Sequence, residues 1–212
     1  MVEQQLVTST EQSKRILVTW FEPFGTRTFN ASYEAAYGAL SQARSDTQVI
    51  MLMLPVVYED CWSVLKRVLE KEHFDAVVAF GEGGLEVTVE TLGRNVYDLE
   101  RSDNLDNLDN RPTAATIEDN GPEVVKSTLP SERVAEMLQK AGIACHVGSD
   151  AGTFCCNEVL YQMSAAVDLV EMSGFIHVPA VQPKDTAGRE VVQLVGKTVL
   201  NTVVDILRSE PL

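Results

Sequence analysis

The sequence predicts an α/β protein, a three-layer α/β/α sandwich around a twisted, mainly parallel (mixed) central sheet. Three observations carry that prediction. Short β-rich runs alternate with amphipathic segments along the chain, the pattern that places helices on both faces of a parallel sheet. The 212 residues are enough for one sizeable core and few for two. No internal repeat or linker divides the chain, so a polar tail over 1–14 is expected to lead into one domain over 15–212.

The elements follow in order. Arg15–Thr19 reads as a strand, Ser32–Ala43 as a helix, and Gln48–Val57 as a strand with Pro55 near its end. Asp60–Lys71 reads as a helix, Ala76–Phe80 as a buried strand and Val87–Leu92 as a further strand. Asp98–Pro122, with the run Asp103–Asn110, is a long polar connection, and loops of that length are often functional. Its carboxylates recur every third residue and lack the alternating spacing and glycine of a calcium loop, so it is read as a solvated or substrate-covering loop. Ser131–Lys140 is the next helix and Ala144–Ser149 the next strand. Gly152 then breaks the chain, Thr153 offers an N-cap, and Val159, Leu160, Met163 and Val167 recur at helical spacing, giving a helix over Thr153–Val170. The last helix, Lys184–Arg208, is expected to break near Gly188.

Charge and cysteine usage narrow the setting. A formal net charge of −14 excludes nucleic acid and anionic membrane as natural partners, since a phosphate-binding face needs clustered Lys and Arg. Four cysteines, two of them adjacent, make neither a disulfide framework nor a CxxC zinc pair, which points to a reducing compartment. Met1–Lys14 is polar, and no apolar run approaches the ~18 residues of a membrane span. A cytoplasmic protein is expected, in which the sequon Asn30-Ala-Ser32 stays unmodified.

The most informative stretch is Gly148–Tyr161, where a glycine turn leads Cys155 and Cys156 into an apolar helix; His177 follows in Gly174–Pro179. A thiol attacks carbonyls as thiolate, and a helix N-terminus or a neighbouring imidazolium lowers its pKa. First-turn N–H groups also suit an oxyanion. Cys156 as nucleophile and His177 as base is therefore one reading. The other is packing, because cysteine is among the most buried residue types. Strand ends in such a sheet gather their loops into one crevice, so Phe21–Gly25 and Gly81–Gly84 are expected near these residues. Gly81–Gly84 lacks dinucleotide-loop spacing and is read as a tight turn. His73, at a polar helix end, and His146 are assigned structural roles.

Four ordered stretches together resemble the pyroglutamyl-peptidase I (pyrrolidone-carboxyl peptidase) family. They are Leu17-Val-Thr-Trp-Phe-Glu-Pro-Phe-Gly25 with Asn30-Ala-Ser32, Val87-Thr-Val-Glu-Thr-Leu-Gly-Arg-Asn95, Asp150-Ala-Gly-Thr-Phe-Cys-Cys-Asn157 and Gly174-Phe-Ile-His-Val-Pro179. The resemblance implies a cysteine exopeptidase that removes the N-terminal pyroglutamyl (5-oxoprolyl) residue from peptides through a thioester. It places a Cys–His–Glu triad on Cys156, His177 and Glu90. It implies a substrate pocket of Phe21, Phe24 and Asn30, with Phe154 beside the nucleophile, Cys155 in the wall, and the backbone of Glu82 and Gly83 near the lactam. No cofactor and no metal are implied. The family includes monomers and tetramers, so a homo-oligomer, dimer or tetramer, stays open.

The chain also departs from the family pattern. Trp20 and Thr26 stand where the family has glycines, and a bulky indole beside the pocket would reshape access. An arginine near the oxyanion in some members falls on Glu100 or Arg101. Two alternatives follow: a cysteine hydrolase of another N-acyl group, and a non-catalytic binding homologue.

Overall fold

A computed structural model describes residues 13–100 and 105–209. Most of the 1–14 tail lies outside the described residues, as do Asp103 and Arg101. In chain order the elements are β1 (Lys14–Phe21), α1 (Ser32–Leu40), β2 (Thr47–Leu54), α2 (Asp60–Leu69), β3 (Ala76–Glu82), β4 (Val87–Glu90), β5 (Leu92–Arg94), β6 (Val124–Lys126), α3 (Ser131–Lys140), β7 (Cys145–Gly148), α4 (Cys155–Ala165), β8 (Ser173–Val178) and α5 (Thr186–Ser209). Among the described residues, no helix is long and apolar enough to cross a membrane.

The main sheet has six strands in the order β2-β1-β3-β8-β4-β7. Strands β2, β1, β3 and β8 run parallel, β4 pairs antiparallel with β8, and β7 runs parallel to β4. The mixed, mainly parallel sandwich is therefore present. Successive strand side chains alternate between faces. Ile16, Val18, Val78, Phe80, Val89 and Ile176 meet the α1, α3 and α5 layer. Leu17, Phe21, Val77, Ala79 and Phe175 meet α2 and α4. Burial on both sides explains why β1, β3 and β8 read as nearly continuous apolar runs.

Several boundaries differ from the sequence expectation. The strand read over Val87–Leu92 is two strands in different sheets. The N–H and Oγ1 of Thr91 both donate to the Gly148 carbonyl, at 2.9 and 2.7 Å, and the chain leaves the main sheet there. β5 instead forms an antiparallel pair with β6. Strand β3 continues through Gly81 to Glu82, so the connection begins only at Gly83 and bends over 84–86, where Gly84 takes a positive φ of 71°. Helix α4 stops at Ala165, because Ala166 leaves helical backbone geometry. Helix α5 is unbroken at Gly188; that residue lies in its first turn, where its N–H donates to Asp185 Oδ1 at 3.0 Å. Strand β8 was not assigned from the sequence.

The described part of the Asp98–Pro122 connection braces a neighbouring loop through Asp106 and Asn107. Asn107 donates from Nδ2 to Glu22 Oε1 at 2.8 Å and to the Pro23 carbonyl at 2.9 Å. Its N–H reaches the Val56 carbonyl at 2.9 Å. Asp106 is buried and turns its carboxylate onto the N–H groups of Leu108 and Asn110, both at 2.8 Å. These bonds fix the Glu22–Gly25 loop, which carries Phe24.

Candidate active site

The antiparallel β4–β8 pair sets the first half of the site. Thr88 lies opposite His177 and Glu90 opposite Phe175, so Glu90 and His177 are diagonal neighbours on one face. Long side chains on such positions can meet. They do: His177 Nδ1 and Glu90 Oε1 are 2.9 Å apart, with Glu90 only 2% exposed. The other carboxylate oxygen, Glu90 Oε2, is buried without a hydrogen-bond partner.

Helix α4 supplies the second half. Its N-cap is Phe154 in an extended conformation rather than Thr153, and no side chain caps it. The first-turn amides around Cys156 thus face their surroundings without a capping oxygen. The helix packs on the face that carries His177 and brings the Cys156 thiol up to the imidazole, close enough to act on its protonation. Burial alone would suppress the His177 cation; hydrogen bonds to Cys156 and Glu90, and the charges of both, outweigh it and raise the pKa well above the ordinary histidine value. The arrangement can hold an imidazolium beside sulfur at neutral pH.

Glycines make this approach possible. Strand β3 runs beside β8 with Gly81 opposite His177. A Cβ at Gly81 would lie 2.6 Å from Phe175 Cζ and 3.0 Å from Cys156 Sγ. A Cβ at Gly83 would lie 2.8 Å from His177 Cδ2.

Two cavities flank the sulfur and the imidazole. A small one, about 40 Å³, is lined by Phe21, Phe24, Asn30, Val56, Glu82, Phe154, Cys155 and Cys156. A larger one, about 540 Å³, lies against Glu90 and His177 and reaches Gly83, Thr88, His146, Asp150 and Gly152.

The sequence profile of the pyroglutamyl peptidase family matches residues 14–208. The chain belongs to the pyroglutamyl peptidase family. It is similar to the pyrrolidone-carboxylate peptidase of Bacillus licheniformis, with 32% identity over 200 residues covering 92% of this chain and 89% of that one. The crystal structure of pyroglutamyl peptidase I from Bacillus amyloliquefaciens superposes with a TM-score of 0.80 at 26% identity, covering 91% of this chain and 95% of that one. The pyrrolidone carboxyl peptidase of Pyrococcus furiosus gives a TM-score of 0.80 at 28% identity, with 91% and 99% covered.

Most of the positions singled out in this pyroglutamyl peptidase homologue converge. Phe21, Phe24, Asn30, Glu82, Phe154 and Cys155 line the small cavity with Cys156. Gly83 does not: its N–H donates to the Val178 carbonyl at 2.9 Å, and it borders the larger cavity. Glu82 lines the small cavity. Its carboxylate is buried, pairs with Arg27 and accepts the Ala31 N–H at 2.7 Å. Asn30 holds its own loop, donating to the Glu22 carbonyl at 3.0 Å and accepting from the Ser32 N–H and Oγ at 3.1 and 2.7 Å. Phe154 stacks edge-on against Tyr58, with centroids 5.1 Å apart.

Trp20 is a correction. Strand alternation turns it to the face opposite Phe21, where it packs edge-on against Tyr33 at 5.9 Å and lines neither cavity. Thr26 is exposed in the loop after β1. Glu100 is exposed and lines neither cavity. His73 is likewise exposed, whereas His146, assigned a structural role, lines the larger cavity.

Sequence reasoning missed other contributors. Asn157 is buried and ties α4 to the outer strand pair, accepting the Arg94 N–H at 2.9 Å and donating to the Arg94 carbonyl at 2.8 Å. Behind the first turn of α4, Cys61, Cys155 and Glu158 bring their ligand atoms within 4.8 Å of one another in the core. Burial first of all pushes the Glu158 carboxyl up to about 6, and Cys61 is raised for the same reason.

Proposed function

We propose that this protein is a cysteine exopeptidase that hydrolyses the bond after an N-terminal pyroglutamyl residue, with Cys156 as nucleophile, His177 as acid–base group and Glu90 as its orienting carboxylate. Residues 15–212 act as one peptidase domain, and the enzyme works in the cytoplasm. Its four cysteines, all free, suit a reducing compartment.

The observation that carries the reading is the convergence of the Cys156 sulfur, at Gly81 on the strand beside His177, with an imidazole 2.9 Å from the buried Glu90, next to a cavity walled by aromatic rings. A pyroglutamyl group is a flat, uncharged lactam with one N–H and one ring carbonyl, which suits apolar walls and few polar partners. Phe21, Phe24 and Phe154 supply the walls; Glu82 and Asn30 supply the polar edge.

In the reaction, the Cys156 sulfur attacks the pyroglutamyl carbonyl carbon while the α4 first-turn amides receive the oxyanion. As the tetrahedral intermediate collapses, the C–N bond breaks and His177 gives its proton to the leaving amine. Water, deprotonated by His177, then attacks the thioester and releases pyroglutamate. Throughout, Glu90 holds the imidazole in one tautomer and stabilises its cation.

The test is aminocoumarin release from pyroglutamyl-aminocoumarin under reducing conditions. The native chain and Cys155→Ser should turn over, and Cys156→Ser should not. No turnover by the native chain would overturn the proposal, and activity surviving in Cys156→Ser would overturn the choice of nucleophile.

A further inference from the structure

Of the two cavities, Cys156 borders the small one and His177 the large one. Resting on the function proposed above, this division has a chemical meaning. The leaving amine must take its proton from His177, so the chain beyond the scissile bond lies on the imidazole's side, in the 540 Å³ cavity. We propose that this cavity binds the residue following pyroglutamate and selects a cationic side chain there, with Asp150 and Glu86 as the selecting residues.

Among the described residues, none of the side chains lining this cavity belongs to a lysine or arginine. Asp150, on the loop between β7 and α4, is exposed on its wall; one carboxylate oxygen accepts the Gly152 N–H at 3.1 Å, which fixes the side chain. From β7, His146 reaches the wall with Nε2 3.4 Å from Thr88 Oγ1, while its Nδ1 lies 3.7 Å from Glu86 Oε2 at the rim. On β4, Glu90 lines the same cavity, and its buried Oε2 has no hydrogen-bond partner among the described residues. Glu90 is paired with His177 and Glu86 faces His146, while Asp150 has no cation within ion-pair reach among the described residues. Outside the cavity, Arg94 on β5 donates to the Ser149 carbonyl at 3.3 Å. With a net charge of −14, the whole molecule adds to the same field.

Exposed carboxylates act through solvent, so the effect is modest and sensitive to salt. The experiment compares kcat/KM for the amides of pyroglutamyl-lysine, pyroglutamyl-alanine and pyroglutamyl-glutamate, with pyroglutamyl-aminocoumarin as an uncharged reference. The lysine compound should be cleaved about tenfold faster than the glutamate compound at low ionic strength, with alanine between them. Raising the salt to ~0.5 M should shrink the ratio. In a Glu86→Gln/Asp150→Asn variant the lysine-to-glutamate ratio should approach one. Equal rates on all three amides would overturn the inference and leave the peptidase proposal standing. A preference for glutamate, or a ratio unchanged in the double variant, would overturn it too. Failure to cleave any of the compounds, aminocoumarin included, would instead overturn the proposed function.

Discussion

Replacing Gly81 with alanine tests whether the packing behind the sulfur positions the proposed nucleophile. The added Cβ would sit 2.6 Å from Phe175 Cζ and 2.8 Å from Cε1. Ordinary carbon contacts are ~3.5–4.0 Å, so the ring must retreat by ~1 Å. Phe175 is fully buried, with Phe21 6.3 Å away and the His177 ring 4.9 Å away, centroid to centroid. Retreat therefore presses on the imidazole. The same Cβ would stand 3.0 Å from Cys156 Sγ, displacing the sulfur as well. Overpacking of a close-packed core costs ~1–3 kcal/mol. At ~2–4 °C per kcal/mol for a chain of this size, the melting temperature should fall by ~2–12 °C. Misplacing reacting atoms by ~1 Å lowers turnover by ~100-fold. Since the small cavity is walled by Phe21, Phe24 and Phe154, KM for pyroglutamyl-aminocoumarin should stay within about threefold of native. The assay pairs steady-state kinetics with thermal denaturation. Native kcat in a variant of native stability would refute the transmission of strain from Gly81 to the sulfur and imidazole.

Glu90→Gln keeps the shape but removes the charge facing His177. Loss of a charged hydrogen bond at ~1.5–3 kcal/mol should lower kcat by about 10- to 100-fold, and the alkaline limb of the rate profile should move to lower pH because the imidazolium loses support. An unchanged pH profile would remove Glu90 from the proton chemistry. Glu158 gives a pH-dependent stability signal. Its folded-state pKa is raised from 4.5 to about 6, chiefly by burial, so the native state holds a proton that the unfolded chain releases. Stability should therefore fall as pH rises through that window, by ~2 kcal/mol at ~1.4 kcal/mol per pH unit. Urea unfolding of the native chain and Glu158→Gln at pH ~4.5 and ~7.5 checks this; a difference between the two proteins that stays constant with pH would refute it.

The sandwich was legible because strands buried on both faces read as apolar runs, and because the helices between them keep their own spacing. The four family stretches carried the site for the same reason: each is local, and each ends a strand or opens a helix. Trp20 shows where a simple rule was available and unused. If Phe21 faces the cavity, its neighbour on a strand must face away. The exit of the chain at Thr91 was not readable, since it depends on the distant Gly148 carbonyl. The larger cavity was hidden for a related reason. Thr88, His146 and Asp150 come from separate segments that share no period, and only the pairing of β4 with β7 brings them together.

The main sheet reverses direction once, between β8 and β4, and the carboxylate and imidazole are joined across that pair by backbone register. Both cavities, by contrast, are shaped largely by connections: the loop after β1, the turn after β3 and the segment ahead of α4. The molecule therefore separates what must stay fixed from what can drift. Substitutions in those connections can change a descendant's diet while the proposed proton-transfer pair is inherited intact, whereas a one-residue slip of β4 would turn Glu90 to the opposite face and part it from His177 in a single step.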